Sequence, residues 1–405
     1  MRVDILQKIE GEAFLRYRFK KGRIEHVKIE FPHYRGVEEI MRGRPAEDAV
    51  AIAPRVCGIC GHSHLIAAAE ALENAAGVTP PLKARYIRNV TLGCELIQNH
   101  IKWLYLVILP LLKRMGFREV PFFEAIDKSA TAGKIIAIFG GQYPHTSYAV
   151  LGGVCSDPTL LEIQKAKLFA KEIEDFFHSE VMEEIERFSE FKDSRGILKE
   201  IYIFLKHKEL LDIGRAHDRF LNLREGTKIL GLKRVSAKLR YVSTAPSGIG
   251  YAKNALYKGK YFEVGPLARR IHTPFVKDLH RRYKDGLFTR IAARVYEIKI
   301  LLSQLKETLK KIEPQGDSFV KTDSLAEGTG EAVVEAPRGS LIHRVKIKKG
   351  KIERYEIITP TQFNLSNGTS LNPGPAQKAV IGLRDRSEAE LVFRSFDICS
   401  VCTTH

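Results

Sequence analysis

The 405-residue chain is 44% hydrophobic and 28% charged, with six cysteines and a formal net charge of +17. Six cysteines are too few for a disulfide scaffold, and in a cytoplasmic chain paired cysteines point to metal or redox chemistry. The basic residues are spread along the whole chain without an aromatic-interleaved cluster, so they read as solvated surface facing an acidic partner rather than nucleic acid. The first residues lack the apolar region of a signal peptide, and the longest apolar run, Trp103 to Leu112, is about half of the ~20 residues a bilayer needs. A soluble, cytoplasmic chain that does not cross a membrane is expected.

In chain order, "AFLRYRF", the turn "KKGR" and "IEHVKIEF" alternate as a β-hairpin. "LIAAAEALENAAG" is a helix with a Gly stop, and the stretch from Pro81 to Gly116 is a long core helix, apolar on more than one side. A glycine-dense loop is expected from about 129 to 157. "SDPTLLEIQKAKLFAKEIEDFFHSEVMEEIERF" then predicts an amphipathic helix of about 30 residues, capped by Ser156 and Asp157. "ARVYEIKILLSQLKETLKKIE" is another helix. After about 316 the strand pattern returns in "EAVVEAPRG" and in a hairpin turning at Lys349 and Gly350, followed by the loop "NLSNGTSLNPGP" and two short helices. The pattern predicts an α+β fold: a β-rich segment 1–50, a helical core 51–315 and an α+β segment 316–405, forming one compact unit with its ends together.

"RVCGICGHSH" contains Cys57, Cys60, His62 and His64, and "FDICSVCTTH" contains Asp397, Cys399, Cys402 and His405. The two C-x-x-C units lie about 340 residues apart, and Cys94 and Cys155 stand alone. Three readings compete. Buried free cysteines are common in cores. Four thiolates also make a closed zinc site, although structural zinc sites usually join pairs over short loops. The third reading is a soft-metal catalytic site, in which thiolates bridge two metals and leave positions open for a small substrate.

These segments resemble the large subunit of nickel–iron hydrogenases. "RVCGICGHSH" matches its R-x-C-G-x-C-x-x-x-H motif and "DICSVCTTH" its D-P-C-x-x-C-x-x-H motif, while "KIEGEAFL", "YRGVEEIMRGR", "EAPRGSLIH" and "TPTQFN" are similar to four further family segments. The resemblance implies the hydrogenase large-subunit fold, a long-helix bundle whose β-rich ends meet at the metal site. It implies Cys57 and Cys399 as terminal nickel ligands, with Cys60 and Cys402 bridging to an iron that carries one carbon monoxide and two cyanides. His64 would hydrogen-bond near Cys60. Arg338 would overhang the open site, paired with Asp397, and Pro337 and Thr361 would surround the diatomic ligands, cyanide needing a donor such as a hydroxyl. Glu10 would pass protons from the terminal cysteine. Glu38, the Ile357 carbonyl and His405 would hold Mg²⁺ or Fe²⁺, with Glu39 as the ligand if the register slips by one.

The resemblance further implies reversible H₂ cleavage, an iron–sulfur small subunit, a downstream acceptor such as ferredoxin or NAD(P), and a chain ending at His405 that looks like the processed form. The chain looks most like the cytoplasmic uptake-type branch. The competing reading is a non-catalytic coupling or sensory relative, but the coupling relatives lack the four cysteines. Two positions depart from the family: Ile398 replaces a proline, and Asn99 replaces an aspartate frequent before His100. Both read as tuning. His62 reads as structural.

Overall fold

The computed structural model describes residues 2–8, 11–223, 238–322 and 325–405. Strands β1 (Arg2–Lys8), β2 (Gly11–Lys20) and β3 (Arg23–Glu30) form an antiparallel sheet in that order. Short helices α1 (Val37–Met41) and α2 (Asp48–Ile52) lead through a 3₁₀ turn, Ala53–Val56, into α3 (Gly61–Ala76). Next come α4 (Leu82–Trp103), a wider π turn at Leu104–Ile108 and α5 (Leu109–Arg114), which together are the long core helix expected.

Two expectations are corrected here. The stretch read as loop from 129 holds most of α6 (Phe123–Gly140), which packs against α4. Its small residues had suggested a loop, yet they serve close packing: a Cβ on Gly133 would stand 3.2 Å from Gln98 Nε2, and Gln98 donates to the Ser129 carbonyl. Two-residue strands β4 (Ala149–Val150) and β5 (Gly153–Val154) precede α7 (Leu160–Phe176). Its cap is Thr159, not Ser156 or Asp157: Thr159 Oγ1 accepts from Glu162 N, and Glu162 returns a bond to Thr159 N. Asp157 is drawn away by the Lys83 ammonium at 2.7 Å. The helix is also shorter than expected, ending in a π turn at Phe177–Val181 before Met182 becomes extended.

The chain continues through α8 (Phe188–Phe191), α9 (Ile197–His207), a hairpin of β6 (Val242–Pro246) and β7 (Lys253–Tyr257), α10 (Pro266–Arg270), α11 (Pro274–Tyr283) and the buried α12 (Leu287–Leu309). A second antiparallel sheet pairs β8 (Glu327–Ala336), β9 (Gly339–Lys348) and β10 (Lys351–Ile358), and turns at Lys349 and Gly350 as read from the sequence. Helices α13 (Pro360–Asn364), α14 (Pro375–Val380) and α15 (Arg386–Ser395) complete the α+β fold.

Helix α3 lies against β8 so closely that a Cβ on Gly330 would collide with the Ala71 carbonyl oxygen. Gly330→Ala is therefore expected to lower stability by about 2–4 kcal/mol in denaturant unfolding, because backbone rather than a flexible side chain must yield. The two ends of the chain meet along β3. Ile24 N–H donates to the Leu383 carbonyl, Ile29 N–H to Asn367 Oδ1, and Arg35 N–H to the Thr404 carbonyl. Apolar side chains of β2 and β3 share a core with Val392, Phe393 and Ile398.

Candidate metal centre

Each C-x-x-C unit sits at a tight turn. Cys57 closes the 3₁₀ turn and Cys60 is the N-terminal cap of α3, a position where the helix dipole favours a thiolate. Cys399 opens a second 3₁₀ turn, Ser400–Cys402. The first loop is held from two sides. Arg35 donates to the Val56 and Arg55 carbonyls at 2.7 and 2.8 Å, and Asn99 Nδ2 donates to the Ile59 carbonyl at 2.7 Å. One turn earlier on α4, buried Glu95 accepts the His62 and Ser63 amide protons at the open end of α3. Burial pushes its carboxyl up to about 7 against these bonds.

The four sulfurs converge. All lie within 4.8 Å of one another, Cys57 faces Cys399 at 3.8 Å and Cys60 faces Cys402 at 3.7 Å, and none is in a disulfide. Alone, these thiols cannot all ionise in so dry a site. Burial opposes the Cys57 thiolate, but the neighbouring sulfurs and the Arg338 charge hold Cys57 well below the usual thiol value. The neighbouring sulfurs, with burial, push Cys60 well above it, and burial does so for Cys402. A soft cation would relieve this conflict by taking all four as thiolates.

Arg338 occupies the two-residue turn between β8 and β9 with Pro337. Gly339 follows at φ 134°, where a side chain would strike Val264 and Gly265. The Arg338 guanidinium is buried, and only Nη2 is bonded, to Asp397 Oδ1 at 3.2 Å; Nε and Nη1 have no partner among the described residues. Thr361 Oγ1, buried at the start of α13, has none either. A closed zinc–tetrathiolate site would have no use for these free donors, whereas ligands carried by a metal would accept from them.

Asp397 stands at φ 57°, a left-handed conformation that aspartate tolerates better than most residues. Its Oδ2 accepts from Arg294 Nη1 at 2.7 Å, as the stronger of its two ion pairs. Arg294 also meets His100 Nδ1 at 3.2 Å, His100 Nε2 meets Glu297 at 2.9 Å, and Glu297 pairs with both Arg269 and Arg270. The charges of Arg269 and Arg270 overcome burial and hold the Glu297 carboxyl well below the usual range.

The family model described as nickel-dependent hydrogenase matches residues 35–109 and 233–405. The chain belongs to that family. It is a nickel–iron hydrogenase large subunit, an oxidoreductase that acts on H₂. It is 26% identical to the periplasmic [NiFeSe] hydrogenase large subunit of Desulfomicrobium baculatum, covering all of this chain and 94% of that one. It is 27% identical to the sulfhydrogenase 1 subunit alpha of Pyrococcus furiosus, covering all of this chain and 97% of that one. The fold matches the Ni-Fe-Se hydrogenase of D. vulgaris Hildenborough in the reduced state at a TM-score of 0.87, with 22% identity over the whole of both chains.

The hydrogenase brings three further sequence-predicted residues together beside the cysteines. Glu38, in the first turn of α1, accepts the Ile357 amide proton at 2.7 Å, and His405 Nε2 lies 3.3 Å from Glu38 and 2.8 Å from the Ile357 carbonyl. Glu39 turns away and accepts from the Tyr34 hydroxyl at 2.9 Å. Burial raises the Glu38 carboxyl, but His405, the Ile357 amide and Lys253 outweigh it and hold Glu38 at about 2. A depressed carboxylate adds stability that is complete above the unfolded value of 4.5 and is lost as pH falls toward 2. In thermal unfolding of the metal-free chain, Glu38→Gln is expected to remove part of the decline over that window and to match the unsubstituted chain below it.

Glu10 falls outside the described residues. His64 is buried and its Nδ1 meets His343 Nε2 at 3.0 Å, a partner not foreseen from the sequence. His62 is packed between the rings of Tyr143 and Tyr148. Ile398 lends its side chain to the core under the N-terminal sheet. Sequence reading passed over Arg35, Glu95, Arg294, Glu297 and His343. For Arg294 and Glu297 a signal existed: they are the two charged residues in the otherwise apolar run 291–298 of the helix.

Proposed function

We propose that this chain is the catalytic subunit of a nickel–iron hydrogenase that reversibly splits H₂ into two protons and two electrons and passes the electrons to an iron–sulfur small subunit. The observation that carries this reading is the set of four buried, convergent sulfurs beside unpartnered donors on Arg338 and Thr361. Cys57 and Cys399 would be terminal ligands to nickel, and Cys60 and Cys402 would bridge nickel to iron. A bound nickel–iron centre supplies the heterolytic cleavage of H₂.

The protein's own residues do the rest. A cysteine Sγ accepts the first proton, and Glu10 takes it onward by way of its carboxylate. Arg338, held by Asp397, presents Nε and Nη1 at the open face, where a fixed cation stabilises developing negative charge. Thr361 Oγ1 and the Pro337 turn would surround the one carbon monoxide and two cyanides of the iron, with the Thr361 hydroxyl free to donate to a cyanide. Glu38, the Ile357 carbonyl and His405 would hold Mg²⁺ or Fe²⁺; an oxygen-rich set completed by water suits Mg²⁺.

Segments 1–50, 51–315 and 316–405 act as one unit, supported by a single apolar cluster that runs from Val37 to Leu391. No described helix is long and apolar enough to cross a membrane. The net charge of +17 suits an acidic electron partner, and we place the enzyme in the cytoplasm with an acceptor such as ferredoxin or NAD(P).

Elemental analysis and infrared spectroscopy of the purified complex test the reading. Equal nickel and iron at the large-subunit site, with one carbonyl and two cyanide bands, is the expected result. Zinc alone without such bands, and no H₂-dependent dye reduction after maturation, would overturn it.

A further inference from the structure

The two-residue turn that carries Arg338 is not built to hold itself. Hairpins with two-residue loops favour types I′ and II′, both of which need a positive φ at the first loop residue. The Lys349–Gly350 turn meets this, at φ 52° and 71°, and so does Lys21–Gly22, at φ 50° and 74°. In the β8–β9 hairpin Ala336 pairs with Gly339, so the first loop residue is Pro337, whose ring fixes φ at about −65°. Arg338 also lies outside the positive region, and the positive φ falls on Gly339 instead, at 134°. Such a turn tends to splay its strands, so contacts from elsewhere must keep it in place.

The support comes from the segment 264–270. Gly265 lies so close under the tip that a Cβ there would stand 2.7 Å from the Arg338 carbonyl oxygen. One turn later, Arg269 on α10 reaches the tip. Its Nη1 donates to the Ala336 carbonyl at 3.0 Å and to Glu335 Oε2 at 2.9 Å, and its Nη2 donates to the Pro337 carbonyl at 3.3 Å. Nε and Nη2 also donate to Glu297, at 2.8 and 2.6 Å. The five N–H groups of the guanidinium are all used, three of them on residues 335–337. Arg269 and both carboxylate partners are buried. Glu335 is tied across the hairpin as well, its Oε1 accepting from the hydroxyl of Ser340, the residue it faces. Glu297 already has Arg270, so charge compensation alone does not account for Arg269 at the tip.

We propose that Arg269 is a positioning residue that braces the Pro337–Arg338 turn through its main-chain carbonyls and so sets where the Arg338 guanidinium stands. Asp397 holds that guanidinium at Nη2 from its other end. Both holds lead back to Glu297, the first directly and the second through Arg294 and His100. The brace is independent of the hydrogenase reading; its consequence for ligands on iron rests on that reading.

Hydrogen exchange read by mass spectrometry, with the infrared spectrum of the same assembled enzyme, tests the proposal. Arg269→Lys keeps the charge but puts its donors on one nitrogen, which cannot reproduce the fork. The peptide 333–342 should exchange about tenfold faster, while the peptide spanning Lys349 and Gly350 keeps its rate. The cyanide bands should move in the direction in which Arg338→Lys moves them. Arg88→Lys is the matched control, since buried Arg88 pairs with Glu73 through both Nη atoms and donates to the Val150 and Gly153 carbonyls. It should lower the unfolding midpoint and change neither the 333–342 peptide nor the bands. If Arg269→Lys does not assemble, Glu335→Gln, which weakens one arm of the brace and leaves the Glu297 pair, should show the same local acceleration and band movement. Unchanged exchange at 333–342, equal acceleration along the whole chain, or unmoved cyanide bands beside a loosened turn would each overturn the proposal. Absence of cyanide bands in the wild type would count against the hydrogenase reading alone, and exchange would still decide the brace.

Discussion

Cys402→Ser should abolish H₂-dependent dye reduction by at least about 10³-fold, well beyond the 10–100-fold that loss of a supporting partner typically costs at a metal site. A hydroxyl is a poor soft-metal ligand and does not ionise at neutral pH, so the site loses a thiolate donor rather than a hydrogen bond. Nickel content should fall with activity, while circular dichroism stays unchanged, because serine fits the space that cysteine leaves and Cys402 lies in a short turn. Retention of nickel and activity would show that the sulfurs are a packed core cluster. The same experiment on Cys94, buried in α4 away from the cluster, should alter neither.

Glu297→Gln should destabilise the protein by about 3–5 kcal/mol, the usual cost of removing one partner from a buried ion pair. Glu297 is the shared acceptor for Arg269 and Arg270 and meets His100, all of them buried. The amide keeps the shape and drops the charge, so two buried guanidinium groups lose a shared counter-charge, although Arg269 keeps Glu335 at 2.9 Å. Since His100 leads through Arg294 to Asp397 and Arg338, activity should fall as well, even where the protein remains folded. Denaturant unfolding and dye reduction measure the two effects separately. A surface counterpart, Asp175→Asn opposite exposed Lys171, should leave the unfolding midpoint essentially unchanged.

What was legible in the sequence followed from local chemistry. The two hairpins announced themselves by alternation and by turn residues, and the long helix by its periodicity. The four-thiol cluster was legible from its two C-x-x-C units, while Arg338 and His405 were singled out only by the resemblance of their segments to the family's motifs. The failures also have physical causes. Helix α6 was hidden because Ser129, Thr131 and Gly133 are small for the sake of helix contact, which sequence alone cannot tell from turn formation. Thr159 won the cap of α7 because Lys83, far off in the chain, had claimed Asp157. The shell of Glu95, Arg294, Glu297 and His343 depends on partners brought together by the fold, such as the 197 residues between His100 and Glu297, and no local pattern encodes that distance.

The meeting of Cys57 with Cys399 closes a loop of 342 residues. Any centre that grips both pairs is therefore a cross-link as well as a cofactor. By the chain-entropy relation for a single closed loop of that size, such a link removes about 6 kcal/mol worth of freedom from the unfolded chain. The loaded subunit should accordingly resist unfolding as a tied ring, and stripping the metal should lower its unfolding midpoint.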